Sequence, residues 1–188
     1  MKNWISSRVS AASWTGFLVW FAILFLFSTW AFSMDSPWTR ALEFAGGKLP
    51  EMQPGIPAIE PVRSMQAMGD NVDDYLLWQL LDIPYAVMNV ITAWMGMGLG
   101  LKAMRMENSI LRQFAVLPLI YFACELIENT LVALFASGML ATSEGFVLFQ
   151  QVATTLKFAS GMPSMGLAML GAAIAILIGA IRMVRKSS

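Results

Sequence analysis

Four ionisable residues stand inside long apolar runs: Asp82, Glu125, Glu128 and Lys157. A charge placed in hydrocarbon costs at least about 2.5–3.5 kcal/mol, so such groups face a packed helical interior and find partners there. Helical spacing puts each of them on a polar stripe. Gln79, Asp82 and Asn89 share one face at offsets of three and seven residues. Glu125, Glu128 and Asn129 share another at i, i+3 and i+4, and Gln150, Thr154 and Lys157 line a third. The chemistry open to three carboxyls and one ammonium is that of protons and cations. Lys157 can neutralise one carboxylate, and desolvation then favours a proton on another, for which Glu125, the deepest, is expected. Pro84 and Pro118 free backbone carbonyls beside the stripes, adding acceptors for a proton or cation.

The candidate ligand- or ion-binding set is therefore Asp82, Glu125, Glu128, Asn129, Lys157, Gln79, Asn89 and Thr154. Three readings compete for it. It can be an ionic lock joining helices, since polar groups do so at well under 2 kcal/mol per contact. It can be a site for a ligand, ion or proton. It can be catalytic, with a glutamic acid as general acid and Asp82 as base. If Asp82 and Lys157 snorkel to water instead, the cluster shrinks to Glu125, Glu128 and Asn129.

The rest of the chain excludes much other chemistry. There is no histidine and a single cysteine, Cys124, so a His-ligated haem, a zinc site, a Ser-His-Asp triad and a redox disulfide all lack their parts. Neither a metal nor a cofactor is expected. The 15 methionines read as adaptable packing rather than as a soft-metal path. Twelve basic residues balance twelve acidic ones, which argues against nucleic acid as a partner.

The elements that must position these residues are membrane helices. The chain is 57% hydrophobic and 13% charged, against roughly 25% charged in soluble domains. Spans are expected at about 14–32, 75–101, 113–137 and 145–182, giving an all-α, integral membrane four-helix bundle of one domain. The first run is too long for the apolar part of a signal peptide and reads as a retained span. The last exceeds a hydrocarbon core of about 30 Å, and Gly161-Met162-Pro163 is the expected break. Gly96, Gly98 and Gly100, with Gly166, Gly171 and Gly179, are expected to let helices approach closely. Residues 33–74 are polar and proline-rich and are expected to form an external loop with short helices around 37–45 and 60–69. Basic residues crowd the termini and the 102–112 loop, which places both termini in the cytoplasm. Trp30, Trp38, Tyr75 and Trp78 then fall near the outer interface.

Leu81-Asp82 followed by Pro84-Tyr85, then Glu125-Leu126-Ile127-Glu128-Asn129, then Thr154 to Lys157, resembles a functionally unassigned family of four-helix bacterial inner-membrane proteins. The similarity covers most of residues 50–180. It implies the fold and an inner-membrane location, and it supplies no activity. The expected function is a non-catalytic membrane component that binds a lipid-like ligand or packs in a larger complex, as subunit or homodimer. A proton- or cation-coupled transporter and a lipid-modifying enzyme are the alternatives.

Overall fold

The computed structural model describes residues 7, 10–52, 59–141 and 143–187. They are helical, with no strand among the described residues. The helices are α1 (Trp14–Ala31), α2 (Pro37–Phe44), α3 (Ile59–Met68), α4 (Val72–Met104), α5 (Leu117–Ala136) and α6 (Glu144–Ser187). Single 3-10 turns at Pro50–Met52 and Gly69–Asn71 lie in the polar segment, and a longer one at Ile110–Val116 leads into α5. Four stretches are long and apolar enough to cross a membrane: Trp14–Ala31, Glu60–Met104, Ile110–Ala136 and Glu144–Arg185.

Local sequence explains where these helices stop and start. Ser36 caps α2 by accepting from Thr39 N at 3.1 Å, with Pro37 in the first turn where its missing N–H costs nothing. The same helix ends at Gly46 and Gly47, both at positive φ, and Gly47 N returns to Leu42 O at 2.8 Å. At the end of α4 the same left-handed cap is made by a non-glycine, Arg105 at φ 59°. There Met106 N reaches Leu101 O at 2.8 Å and Arg105 N reaches Lys102 O at 3.0 Å.

The break expected at 161–163 is not an interruption, because α6 runs through Pro163 as continuous helix. Proline removes one N–H from the ladder, and the helix carries on past the gap. Ser164 Oγ donates to Ser160 O at 2.6 Å, while Gly161 lies so close to Tyr121 that an added Cβ would sit 2.7 Å from the ring.

The chain divides into two compact units. The first comprises Met1–Leu24, Met88–Tyr121 and Ser160–Ser188. Its core rests on backbone contact between α4 and α6: a Cβ on Gly96 would meet Ala168 O at 2.5 Å, and one on Gly100 would meet Gly171 Cα at 2.5 Å. Gly171 is equally closed by Gly96 O. By contrast, Gly166 and Gly179 face open space, so the close approach expected of them is absent. Phe17, Leu99 and Ala172 pack together in this unit, as do Ala93, Met97 and Ala168. Trp94 Nε1 donates to Ala115 O at 2.8 Å and Lys102 Nζ to Ala12 O at 2.5 Å, satisfying carbonyls at helix ends.

The second unit comprises Phe25–Val87 and Phe122–Ala159. Ala41, Ala45, Leu49, Met68, Tyr75 and Val132 form its buried apolar core. A two-pronged ion pair fastens α2 to the start of α4, with Arg40 Nε to Asp74 Oδ2 at 2.8 Å and Nη2 to Oδ1 at 2.5 Å. Asp74 thus does more than favour the helix N-terminus by its charge. Of the aromatics expected at an interface, Trp30 is 46% exposed, whereas Tyr75 is enclosed by residues of the polar segment and Val132, and buried Trp78 meets Phe32. Phe32 meets Trp38 edge-on at 5.0 Å.

Candidate functional site

The site lies wholly in the second unit and begins with Lys157 on α6. Its Nζ sits 3.3 Å from Glu125 Oε1 and pairs directly with Glu128 Oε2, both on α5. The i, i+3 spacing of the two glutamates places both carboxyls on the face that meets the ammonium. Glu128 is fully enclosed and heavily served. Its Oε1 accepts from Thr154 Oγ1 and, at 3.3 Å, from Gln150 Nε2. Gln150 Nε2 also donates to Thr154 Oγ1 at 2.8 Å. All three partners come from α6 at steps of three and four residues, so one helical face supplies the whole set.

A second group joins α4 to α5. Asn129 Nδ2 donates to Asp82 Oδ2 at 3.2 Å and lies 3.5 Å from Gln79 O. Asn129 follows Glu125 by four residues and Glu128 by one, so α5 carries this group beside the ion pairs. Among the described residues, Gln79 Oε1, Glu125 Oε2 and Gln150 Oε1 are buried without a hydrogen-bond partner. All three are acceptors, so the cluster is short of donors rather than of acceptors.

Seven of the eight residues picked from sequence therefore lie in these two groups: Gln79, Asp82 and Asn129 in one, Glu125, Glu128, Thr154 and Lys157 in the other. The eighth, Asn89, is half-buried and belongs to the first unit. Asp82 and Lys157 are both 7% exposed, so neither snorkels.

The residue that sequence reasoning missed is Glu51. It sits in the turn Pro50–Met52 of the polar segment, where its charge suggested a solvated loop acid. Instead its Oε2 accepts from Tyr75 OH at 2.5 Å, and its Oε1 lies 3.5 Å from Gln79 Nε2. Glu51 is half-buried as a residue, with its carboxyl turned into the unit. Burial and the charge of Glu128 push that carboxyl up to about 7, against the opposing pull of the Tyr75 hydroxyl. Leu49 and Pro50 beside it are both fully buried and carry the turn inward, which no periodicity in the sequence marks.

Two apolar recesses accompany the network. One, of about 300 Å³ in the first unit, is lined by Met97, Leu101, Met104, Phe114, Leu170 and Ile174 among others. The second unit has an open groove of about 440 Å³ whose walls include Leu76, Leu80, Ile83 and Leu134, with Gln79 and Asn129 also lining it. Among the described residues, no group of three or more Cys, Asp or Glu side chains is arranged to hold a metal ion. No protein-family model matches the chain, and no curated protein or solved structure is similar to it. The resemblance to four-helix inner-membrane proteins thus rests on the residues alone.

Proposed function

We propose that this protein is a non-catalytic integral membrane component that binds a lipid-like molecule, alone or within a larger membrane complex. Its long helices form a four-helix bundle in a bacterial inner membrane, with both termini cytoplasmic and residues 33–74 as an external cap. The observation that carries this reading is the apolar recess of about 300 Å³, bounded by α4, the 110–116 turn and α6. Apolar side chains and two glycines make up its lining, which suits an acyl or isoprenoid chain and offers nothing to a polar substrate. Exposed Leu170 (56%) at its rim keeps it open to lipid.

Native mass spectrometry from a mild detergent tests this directly. The wild-type chain should carry a co-purifying lipid, and Leu170→Trp, which fills the recess from its rim, should carry much less. A monodisperse monomer with neither lipid nor protein attached would sink the proposal.

The donor-poor polar network favours a second reading, a small proton- or cation-coupled transporter. Four spans are few for transport, so a dimer is required. A pH- or sodium-dependent flux in proteoliposomes that disappears in Glu125→Gln and Glu128→Gln supports this reading. Equal flux in empty vesicles removes it.

A further inference from the structure

The apolar recess of the first unit has a charged end. Met104 and Leu111 line it, and each is followed at once by an arginine, Arg105 and Arg112. A third guanidinium arrives from α6, where Arg182 Nη2 donates to Ala103 O at 3.0 Å, next to Met104. That bond uses one of the five N–H donors a guanidinium carries. Lys102 is engaged elsewhere, on Ala12 O at 2.5 Å. From the charged end the recess runs along α4 from Met104 to Met97 and along α6 from Ile174 to Leu167, about 10 Å of helix on each. Arg105 is the odd member of the three. It is exposed and holds φ 59°, a left-handed turn that glycine makes without strain. Retention of basic residues on the cytoplasmic side accounts for positive charge at this end, but not for an arginine at a glycine position beside the recess. A non-glycine residue kept in that backbone region points to a use for its side chain.

We propose that this recess takes an anionic phospholipid, its phosphate held by Arg105, Arg112 and Arg182 and one acyl chain laid along the apolar walls. The site is the recess of the lipid-binding reading, on which it rests, and what is added is the class of headgroup. Guanidinium forks match the paired oxygens of a phosphodiester. Basic pockets between membrane helices on the cytoplasmic side bind such headgroups. An apolar slot leading away from the charges fits a molecule that carries both features, whereas a free phosphate ion would leave the slot unfilled. Glu107 is the one acid in the sequence of this unit. A headgroup ammonium therefore finds little to pair with, and a net-negative lipid is preferred to a zwitterionic one.

Native mass spectrometry of the full chain in a mild non-ionic detergent tests this, with phosphatidylglycerol or phosphatidylcholine of the same chains titrated in. Phosphatidylglycerol should bind more tightly, and added salt should narrow the difference. Arg105→Gly should weaken phosphatidylglycerol alone by about fivefold, and adding Arg112→Gln should weaken it by about fivefold again. Because Arg105→Gly relieves the left-handed turn, its loss of lipid should come with no fall in melting temperature, which separates a binding role from a structural one. Leu170→Trp should weaken both lipids. Equal binding of the two lipids overturns the proposal and leaves the lipid-binding reading standing, whereas binding of neither removes both. A preference that survives Arg105→Gly with Arg112→Gln also overturns it. So does displacement of phosphatidylglycerol by inorganic phosphate, which would make the free ion the ligand. Should a variant fail to fold, the two lipids compared on the wild-type chain still decide.

Discussion

The ammonium of Lys157 faces two glutamates at once, and one of them, Glu128, is completely enclosed. Removing the cation strands a buried carboxylate, a one-sided change that costs about 3–5 kcal/mol, less if the carboxyl takes up a proton. Lys157→Met should therefore lower the melting temperature sharply. Adding Glu128→Gln should recover much of the loss, whereas adding Asp82→Asn should recover little, because Asp82 is not bonded to the ammonium. Equal rescue by both would show that the ammonium answers to overall charge and not to Glu128. Glu51 gives a separate test with a definite sign. Its carboxyl is raised from an ordinary 4.5 to about 7, so the folded chain binds its proton more tightly than the unfolded chain does. Stability then falls as pH rises between those two values, by up to about 3 kcal/mol, and is flat above them. Glu51→Gln should erase that fall in melts recorded across the same window. A slope unchanged in the variant would place its origin elsewhere.

At the level of the elements, the α4–α6 crossing in the first unit depends on having no side chain at Gly96, Gly100 and Gly171. A larger residue there meets backbone, which cannot swing aside as a side chain can. Gly96→Val or Gly171→Val should cost at least the 1–3 kcal/mol typical of overpacking, read as a fall in melting temperature. Gly166→Ala and Gly179→Ala, which face open space, should be nearly neutral or gain slightly in helix propensity. In the opposite direction, Arg105 holds a left-handed conformation that glycine adopts without strain. Arg105→Gly should add up to about 1 kcal/mol, and a drop in stability would show that the arginine side chain is needed there. These elements also mark how far the sequence could be read. Periodicity and proline placement indicate helices around 37–45 and 60–69, and α2 and α3 occupy Pro37–Phe44 and Ile59–Met68. The polar stripes converge because each step of three or four residues keeps one face. Glu51 was not legible, because an acid in a proline-rich turn has no period to betray which way it points. For glycines, spacing alone cannot separate Gly171, closed by Gly96, from Gly166, which faces nothing.

For the whole molecule, the distribution of charge carries the strongest expectation. Around the termini and the 102–112 loop stand Lys2, Arg8, Lys102, Arg105, Arg112, Arg182, Arg185 and Lys186, with Glu107 as the one acid. Residues 33–74 and the 137–144 link hold eight acids against Arg40, Lys48 and Arg63. Basic residues near span ends tend to be retained on the cytoplasmic side, and the proposed topology, with the first group inward and the polar segment outward, follows from that tendency. The pairing seen in the second unit fits an outward cap as well: Arg40 and Asp74 are partly exposed, at 42% and 25% of their side chains, as befits a clamp meeting water. Such a clamp contributes only about 0.2–1 kcal/mol, so it fixes where the cap sits more than whether the chain folds. In sealed cells of a cysteine-free background (Cys124→Ala), a membrane-impermeant thiol reagent should label a cysteine placed at Ser143. It should also label one at Gly55, which lies outside the described residues. A cysteine at Asn108, in the turn after α4, should stay unlabelled until the cells are opened. Labelling at Asn108 in sealed cells would invert the topology. The Glu51 carboxyl would then sample the cytoplasm, and the pH dependence expected of it would follow internal rather than external pH.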